Sequence, residues 1–350
     1  MSGPPLAALT TLRLGGEARR LVRARSTAEV VEAVARADAA GEPLLVIGGG
    51  SNLVVADAGF DGTVLQAASR GVSVEQRGDR VRLVAAAGEP WDELVERCVV
   101  DGLAGLECLS GIPGLTGAAP IQNVGAYGQE LSEAVAAVTA YDRAIRAVVE
   151  LNPKDCEFSY RSSAFKRSAR YIVLGVALEL LRSPAGMPPR YAELARKLDL
   201  RPGERPPLSE LREAVLALRR EKGMVIDPAD PDSVSAGSFF LNPILSADRF
   251  VAIERRAHER LPDGPCLPAW PEADGHIKTS AAWLIEQAGF QRGYGHGRVG
   301  ISTKHTLALV NRGGATTAEL LTLARELRDR VRTAFGITLQ PEPTLVGVEL

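Results

Sequence analysis

Residues 44–57 read LLVIGGGSNLVVAD. A short apolar run (Leu44 to Ile47), three glycines, Ser51 and Asn52 precede a second apolar run, Leu53 to Val55. Apolar runs of this length, bounded by turn residues, predict strand, tight turn, strand. That order decides the fold, because the glycine loop of a dinucleotide-binding Rossmann unit opens a helix. Here it opens another strand, so an anion would rest on a nest of backbone amides rather than on a helix N-terminus. A second glycine-rich stretch, GIPGLTGAAPIQNVGAYG at residues 111–128, has the same character. Small or absent side chains in both allow close backbone approach. Two such loops in one domain indicate a diphosphate cofactor gripped from two sides.

The 350 residues allow a large core and two or three domains. Hydrophobic content of 45% and charged content of 24% are those of an ordinary soluble globular chain. A net charge of −2 gives no footprint for nucleic acid or an anionic membrane. No apolar run approaches the roughly 18 residues of a membrane span, and the N-terminus lacks a signal-peptide pattern. Cys98, Cys108, Cys156 and Cys266 are scattered, without CxxC or a histidine at ligand spacing. A reduced cytoplasmic protein with no metal site is expected. Cys98 falls on the apolar face of a predicted helix, as a buried structural thiol.

Working outward, Ser26 or Thr27 caps a helix carrying Val30, Val31 and Val34 that ends at Gly41. Residues 81–88 predict a strand, and the following segment places Trp91, Leu94, Val95, Cys98 and Val99 on one helical face. AVAAVTAYD and YIVLGVALELL read as strands flanking FSYRSSAF. This alternation predicts an α+β or α/β cofactor domain. Proline-rich stretches at 183–189 and 201–207 punctuate the chain before a helix with Leu208, Leu211, Val215 and Leu218 in register. Further helices are expected over TSAAWLIEQAG and over the segment bearing Leu320, Leu323, Leu327 and Val331. The closing ITLQPEPTLVGVEL reads as a strand pair broken by Pro341 and Pro343.

Three residues outside the glycine loops could carry chemistry, and each has a plain structural alternative. Arg161, between Tyr160 and two serines, also reads as a solvated surface arginine. Ser238, ahead of Phe239 and Phe240, also reads as a loop serine; it is not in a GxSxG elbow. Glu342, fixed between two prolines, also reads as part of a proline-blunted edge strand.

Taken together, GGGSN, PG–GAAPIQNVGAYG, YRSSAF, AGSFFLNP and LQPEPTLVG stand in an order and spacing that resembles the UDP-N-acetylenolpyruvoylglucosamine reductase (MurB) family. The resemblance runs from Leu12 to Gly347. It implies an α+β fold: an FAD-binding domain of the vanillyl-alcohol-oxidase type over 1–205, made of two subdomains split near 65–75, and a C-terminal substrate-binding domain over 206–350. The last strands, about 336–350, are expected to pack back near the flavin. FAD would be held noncovalently by Gly48, Gly49, Gly50, Ser51 and Asn52 on one side. Pro113, Gly114, Gly117, Ala118, Asn123, Gly125, Tyr127 and Gly128 would line the other.

In the reaction this implies, NADPH reduces the flavin and NADP⁺ leaves. UDP-N-acetylglucosamine enolpyruvate then takes hydride at C3 and a proton at C2, giving UDP-N-acetylmuramate for peptidoglycan. Ser238 would be the general acid, with Arg161 and Glu342 polarising the enolpyruvyl carboxylate and stabilising the enolate. Tyr191 matches the family branch with an extra segment closing over the nucleotide, and Lys222 and Asn242 would meet the UDP diphosphate. The loop DPADPDS at 227–233 is longer than the usual family form, which leaves Lys222 an alternative as a solvated helix-end lysine. The chain is expected to act as a monomer, without nucleic-acid or membrane partners. One rival reading is a flavin oxidase with covalent FAD. His258, His276, His296 and His305 all follow the predicted cofactor domain, which opposes the usual histidine attachment. A flavin- or UDP-sugar-binding module without catalysis is the other rival.

Overall fold

The computed structural model describes residues 3–350. They form two compact units, each assembled from more than one stretch of chain. The first takes in residues 3–4, Glu17–Gly50 and Phe60–Val225; the second takes in Pro5–Gly16, Ser51–Gly59 and Ile226–Leu350.

The first unit has two sheets. One is parallel, with Phe60–Ala67 between Ala18–Ala24 and Leu44–Ile47. The helix Thr27–Ala39 begins where the Ser26 hydroxyl accepts the Glu29 amide. It buries Val30 and Val34 with Leu65, Tyr141, Ile172 and Leu174. The other sheet is antiparallel, in the order Ala147–Leu151, Val135–Asp142, Tyr171–Arg182, Arg80–Ala86, Val72–Arg77. The helix Trp91–Val100 buries Trp91, Leu94, Val95 and Cys98, as its three-and-four spacing requires.

The helix Leu208–Glu221 belongs to this first compact unit, which runs to Val225. Two interactions place it there. Leu211, Val215 and Leu218 are buried with Leu194 and Cys108. Arg212 also makes a two-pronged pair with Asp92 on the helix Trp91–Val100, at 2.7 and 3.0 Å.

In the second unit, Ala308–Asn311 lies between Ser235–Ser238 and Val299–Ile301 in an antiparallel sheet. The helices Ala247–Arg260, Ala281–Gln287 and Thr317–Phe335 contribute to one core with Phe239 and Phe240. The C-terminal segment differs from the expected strand pair. Only Thr344–Val346 is a strand, and it pairs in parallel with Leu53–Val55. Pro341 and Pro343 lack the amides a ladder needs, and Pro341 makes only an isolated bridge with Phe240. The strands on either side of GGGSN are likewise not partners: Leu44–Ile47 pairs with Phe60–Ala67, whereas Leu53–Val55 lies in the second unit. The glycine turn is where the chain leaves one unit and enters the other.

Candidate active site

In the first unit the two glycine loops pack against each other. A Cβ at Gly49 would stand 2.9 Å from the Gly114 Cα, and one at Gly117 would stand 2.5 Å from the Cβ of Ala87. One at Gly48 would reach Ala118 and Leu115 at an ordinary 3.5 Å. Loop-to-loop contact, which sequence reasoning did not foresee, therefore demands glycine at 49, and contact with Ala87 after the strand Arg80–Ala86 demands it at 117. Among the described residues nothing accepts from the amides of Gly49 and Gly50, and Gly50 has φ +63°. Those are the free donors of an anion nest. The amides of Thr116, Gly117 and Ala118 instead donate to the carbonyls of Glu89, Ala87 and Leu115. These three donors of the second loop serve the protein.

Asn123, Tyr127 and Arg161 all have left-handed backbones, with φ of +43°, +50° and +52°. Non-glycine residues are seldom held so, and such residues cluster at functional sites. Asn123 is buried and its carboxamide is committed within the protein. Its Nδ2 donates to Glu130 at 2.8 Å and to the Ser159 carbonyl at 3.3 Å, and its Oδ1 accepts the Ser132 amide at 2.9 Å. The side chain thus positions its surroundings, and Glu130 is a supporting residue that no sequence motif marks. Tyr160 and Arg161 form the tip of a turn closed by reciprocal backbone bonds between Ser159 and Ser162. From that tip Arg161 donates to the Gly125 carbonyl at 2.6 Å.

Tyr127, Tyr191 and Lys222 come together. The two phenol rings meet edge to face at 6.0 Å, and the Lys222 ammonium lies 5.5 Å from the Tyr127 ring centre. Lys222 also pairs with Glu193 at 2.6 Å. Burial pushes the Tyr127 hydroxyl up to about 12, and burial followed by the Glu193 charge raises Tyr191. Both phenols stay protonated donors at neutral pH. Gly128, at φ +82°, closes the loop against Arg190. Sequence reasoning missed Arg219, whose place on the stripe with Leu211 and Val215 was the available signal of a buried cation.

In the second unit the segment that follows Ser238 runs beside the one that carries Glu342. The Glu342 amide donates to the Phe239 carbonyl at 2.9 Å, and the Leu241 amide donates to the Gln340 carbonyl at 3.0 Å. Asn52 joins them: its carbonyl accepts the Thr344 amide at 3.0 Å, and its Nδ2 reaches the Glu342 carbonyl at 3.5 Å. Ser238 ends the strand Ser235–Ser238, opposite Ala308 and after Gly237 at φ +72°. Phe239 and Phe240, both buried, anchor the backbone beyond it. The Asn242 Oδ1 accepts the Ala281 amide at 3.0 Å, at the start of the helix Ala281–Gln287. That oxygen is committed to the protein, and a ligand would be met through the Asn242 NH₂.

The sheets and glycine loops of the first unit define an FAD-binding protein: residues 18–147 match the family model of the FAD binding domain. Residues 228–346 match that of the UDP-N-acetylenolpyruvoylglucosamine reductase C-terminal domain. Proteins named UDP-N-acetylenolpyruvoylglucosamine reductase resemble the chain along its length. The one from Thermobifida fusca is 58% identical over 99% of this chain and 98% of its own length. The one from Streptomyces coelicolor is 56% identical over 99% of this chain and 90% of its own. A crystal structure of the Thermus caldophilus reductase, 24% identical, matches with a TM-score of 0.66 and 99% coverage of each chain, which shows the same fold. The chain belongs to the UDP-N-acetylenolpyruvoylglucosamine reductase family.

The residues present fit FAD. The free amides of Gly49 and Gly50 suit a diphosphate. Among the described residues no cluster suits a metal ion, and no helix is long and apolar enough to cross a membrane.

Proposed function

We propose that this chain reduces UDP-N-acetylglucosamine enolpyruvate to UDP-N-acetylmuramate with NADPH and noncovalent FAD, in peptidoglycan synthesis. The observation that carries the reading is the 58% identity, along almost the whole chain, to a protein named for that activity. When bound, FAD supplies hydride transfer between NADPH and the enolpyruvyl double bond.

The chain's own residues divide the remaining work. Gly49 and Gly50 would hold the cofactor diphosphate. Ser238 would deliver the proton to C2 of the enolpyruvyl group, although a hydroxyl is a weak acid and needs a polar neighbour to transfer it. Glu342, whose amide donates to the carbonyl of Phe239 next to Ser238, would act on the enolpyruvyl carboxylate and help to stabilise the enolate. The Arg161 guanidinium would stabilise negative charge developing on the substrate. Tyr191, Lys222 and Asn242 would bind the nucleotide diphosphate. We read the protein as a cytoplasmic monomer; light scattering of the purified chain tests the monomer.

The test is the flavin absorbance band of the purified protein under anaerobic conditions. One equivalent of NADPH should bleach it, and the enolpyruvyl substrate should restore it. Bleaching without recovery would point to another electron acceptor. The absence of any flavin band after added FAD would end the reading.

A further inference from the structure

Tyr191 is 45% exposed, so burial alone does not fix its ring. It ends an irregular stretch, 186–191, between the strand Tyr171–Arg182 and the short helix Ala192–Lys197. Ion pairs flank it on both sides. After it, Glu193 pairs with Lys222. Before it, Arg190 grips the Glu133 carboxylate with two guanidinium nitrogens, each at 2.9 Å. One of those nitrogens also donates to the Gly128 carbonyl at 3.2 Å. A Cβ on Gly128 would stand 2.7 Å from the Arg190 Cβ, so the missing side chain at 128 admits this approach.

An exposed ion pair contributes little when its partners are free to move. Here the partner is held. The Glu133 Oε1 accepts the Glu130 amide at 3.1 Å, in a capping box that continues to Asn123 through the Glu130 carboxylate. Three residues before Arg190, the Met187 amide donates to the buried Glu107 carboxylate at 2.6 Å. Pro188 and Pro189 lie between these two anchors, and each fixes its own φ. A stiff stretch tied at both ends has little freedom to slide, so the place of Arg190 sets that of Tyr191, whose ring meets Tyr127.

We propose that Arg190 is a positioning residue that holds Tyr191 against the second glycine loop before substrate arrives, so that the nucleotide diphosphate meets a phenol already in place. The inference deepens the reductase reading and rests on it. Holding a side chain in its binding position removes the ordering cost from the binding step. Where only a fraction of molecules has the residue docked, the apparent affinity falls by that fraction. Arg190 acts on binding and not on the transfer of hydride or proton, so KM carries its effect and kcat does not.

The experiment measures KM for UDP-N-acetylglucosamine enolpyruvate, and kcat, in the FAD-loaded parent, R190M, R190K, E133Q and R190M/E133Q proteins. Hydrogen exchange over residues 186–194 is followed alongside, without substrate. E133Q removes the charge and keeps an acceptor for the Glu130 amide. R190M should raise KM about fivefold at constant kcat, the scale of a well-held surface pair. Exchange in the segment should quicken with it. R190K should recover part of the loss, because it keeps the charge but not the two-pronged fork. The double variant should be no worse than R190M, since the pair is already broken. If R190M does not take up flavin, R190Q carries the same comparison. An unchanged KM or unchanged exchange overturns the proposal. Additive losses in the double variant would also overturn it, by making the two residues independent. So would a fall in kcat without a rise in KM. A parent protein that takes up no FAD and turns over no substrate would sink the reductase reading itself, and the exchange comparison would still decide whether Arg190 docks the segment.

Discussion

At the scale of single residues, the site is marked by backbone strain as much as by side-chain chemistry. Asn123, Tyr127 and Arg161 hold left-handed conformations that cost of order 1–2 kcal/mol each for a non-glycine residue. The Asn123 network supplies the restraint for two of them, linking the loop through Glu130 and Ser132 to Ser159 beside the Arg161 turn. Asn123→Ala should destabilise the protein by about 1–3 kcal/mol in urea unfolding, because it leaves buried partners unmatched. Ser238→Ala should leave flavin reduction by NADPH intact and slow reoxidation by the enolpyruvyl substrate roughly 10²–10⁴-fold, since the proton is needed only after hydride transfer. Stopped-flow traces separate the two half-reactions, and equal losses in both would contradict the assignment.

At the scale of elements, the glycine loops and the helix Leu208–Glu221 show how local sequence is constrained by neighbours. A Cβ at Gly49 would press on the backbone of Gly114, which cannot rotate away, whereas one at Gly48 meets side chains at ordinary contact distance. Gly49→Ala should therefore weaken FAD binding tenfold or more, from an overpacking cost of about 1–3 kcal/mol. Gly48→Ala should bind FAD nearly as the parent does. Fluorescence titration with FAD distinguishes them, and equal effects would refute the loop-packing account. The helix is tied by Arg212 to Asp92. Burial pushes the Asp92 carboxyl up, but Arg212 and the Gly111 amide outweigh it, so the group is held below the ordinary carboxylate range. A depressed carboxyl stabilises the fold above its unfolded-state value and ceases to do so as pH falls through its folded-state value. Asp92→Asn should thus be less stable than the parent at pH 7, with the gap closing below about pH 4. A gap independent of pH would mean that the pair contributes little.

At the scale of the whole molecule, three cysteines are buried and the fourth, Cys266, is exposed. Burial pushes the Cys98, Cys108 and Cys156 thiols up to about 12, so they carry almost no thiolate at neutral pH. A thiol reagent should titrate Cys266 quickly in the native protein and the other three only on unfolding. All four histidines lie in the second unit. Acid precipitation should consequently release the flavin into the supernatant, and flavin retained on the protein would support the covalent-oxidase alternative.

Much of this was legible in the chain. Helices with a regular apolar stripe were visible because burial at a period of 3.6 residues leaves a linear trace, as in Trp91, Leu94, Val95 and Cys98. The glycine loops and the YRSSAF and AGSFFLNP motifs were visible because close backbone approach and fixed side-chain chemistry restrict residue choice at single positions. Partnership was not visible. Nothing local to LLVI and LVV says that they pair with different strands, or that LVV pairs with Thr344–Val346 at the far end of the chain. Nor does RPGERPP reveal that the helix after it belongs with the first unit, which its buried face and the Arg212–Asp92 pair decide. Arg219 is the sharpest case: as sequence it is one of several arginines, and only the tertiary structure shows it buried. Residue type and spacing are set by local sterics and periodic burial, so sequence alone determined the helices, the turns and the chemistry available. Strand pairing, the unit boundary and the electrostatic setting of each group depend on contacts between distant segments, and only the tertiary structure decided them.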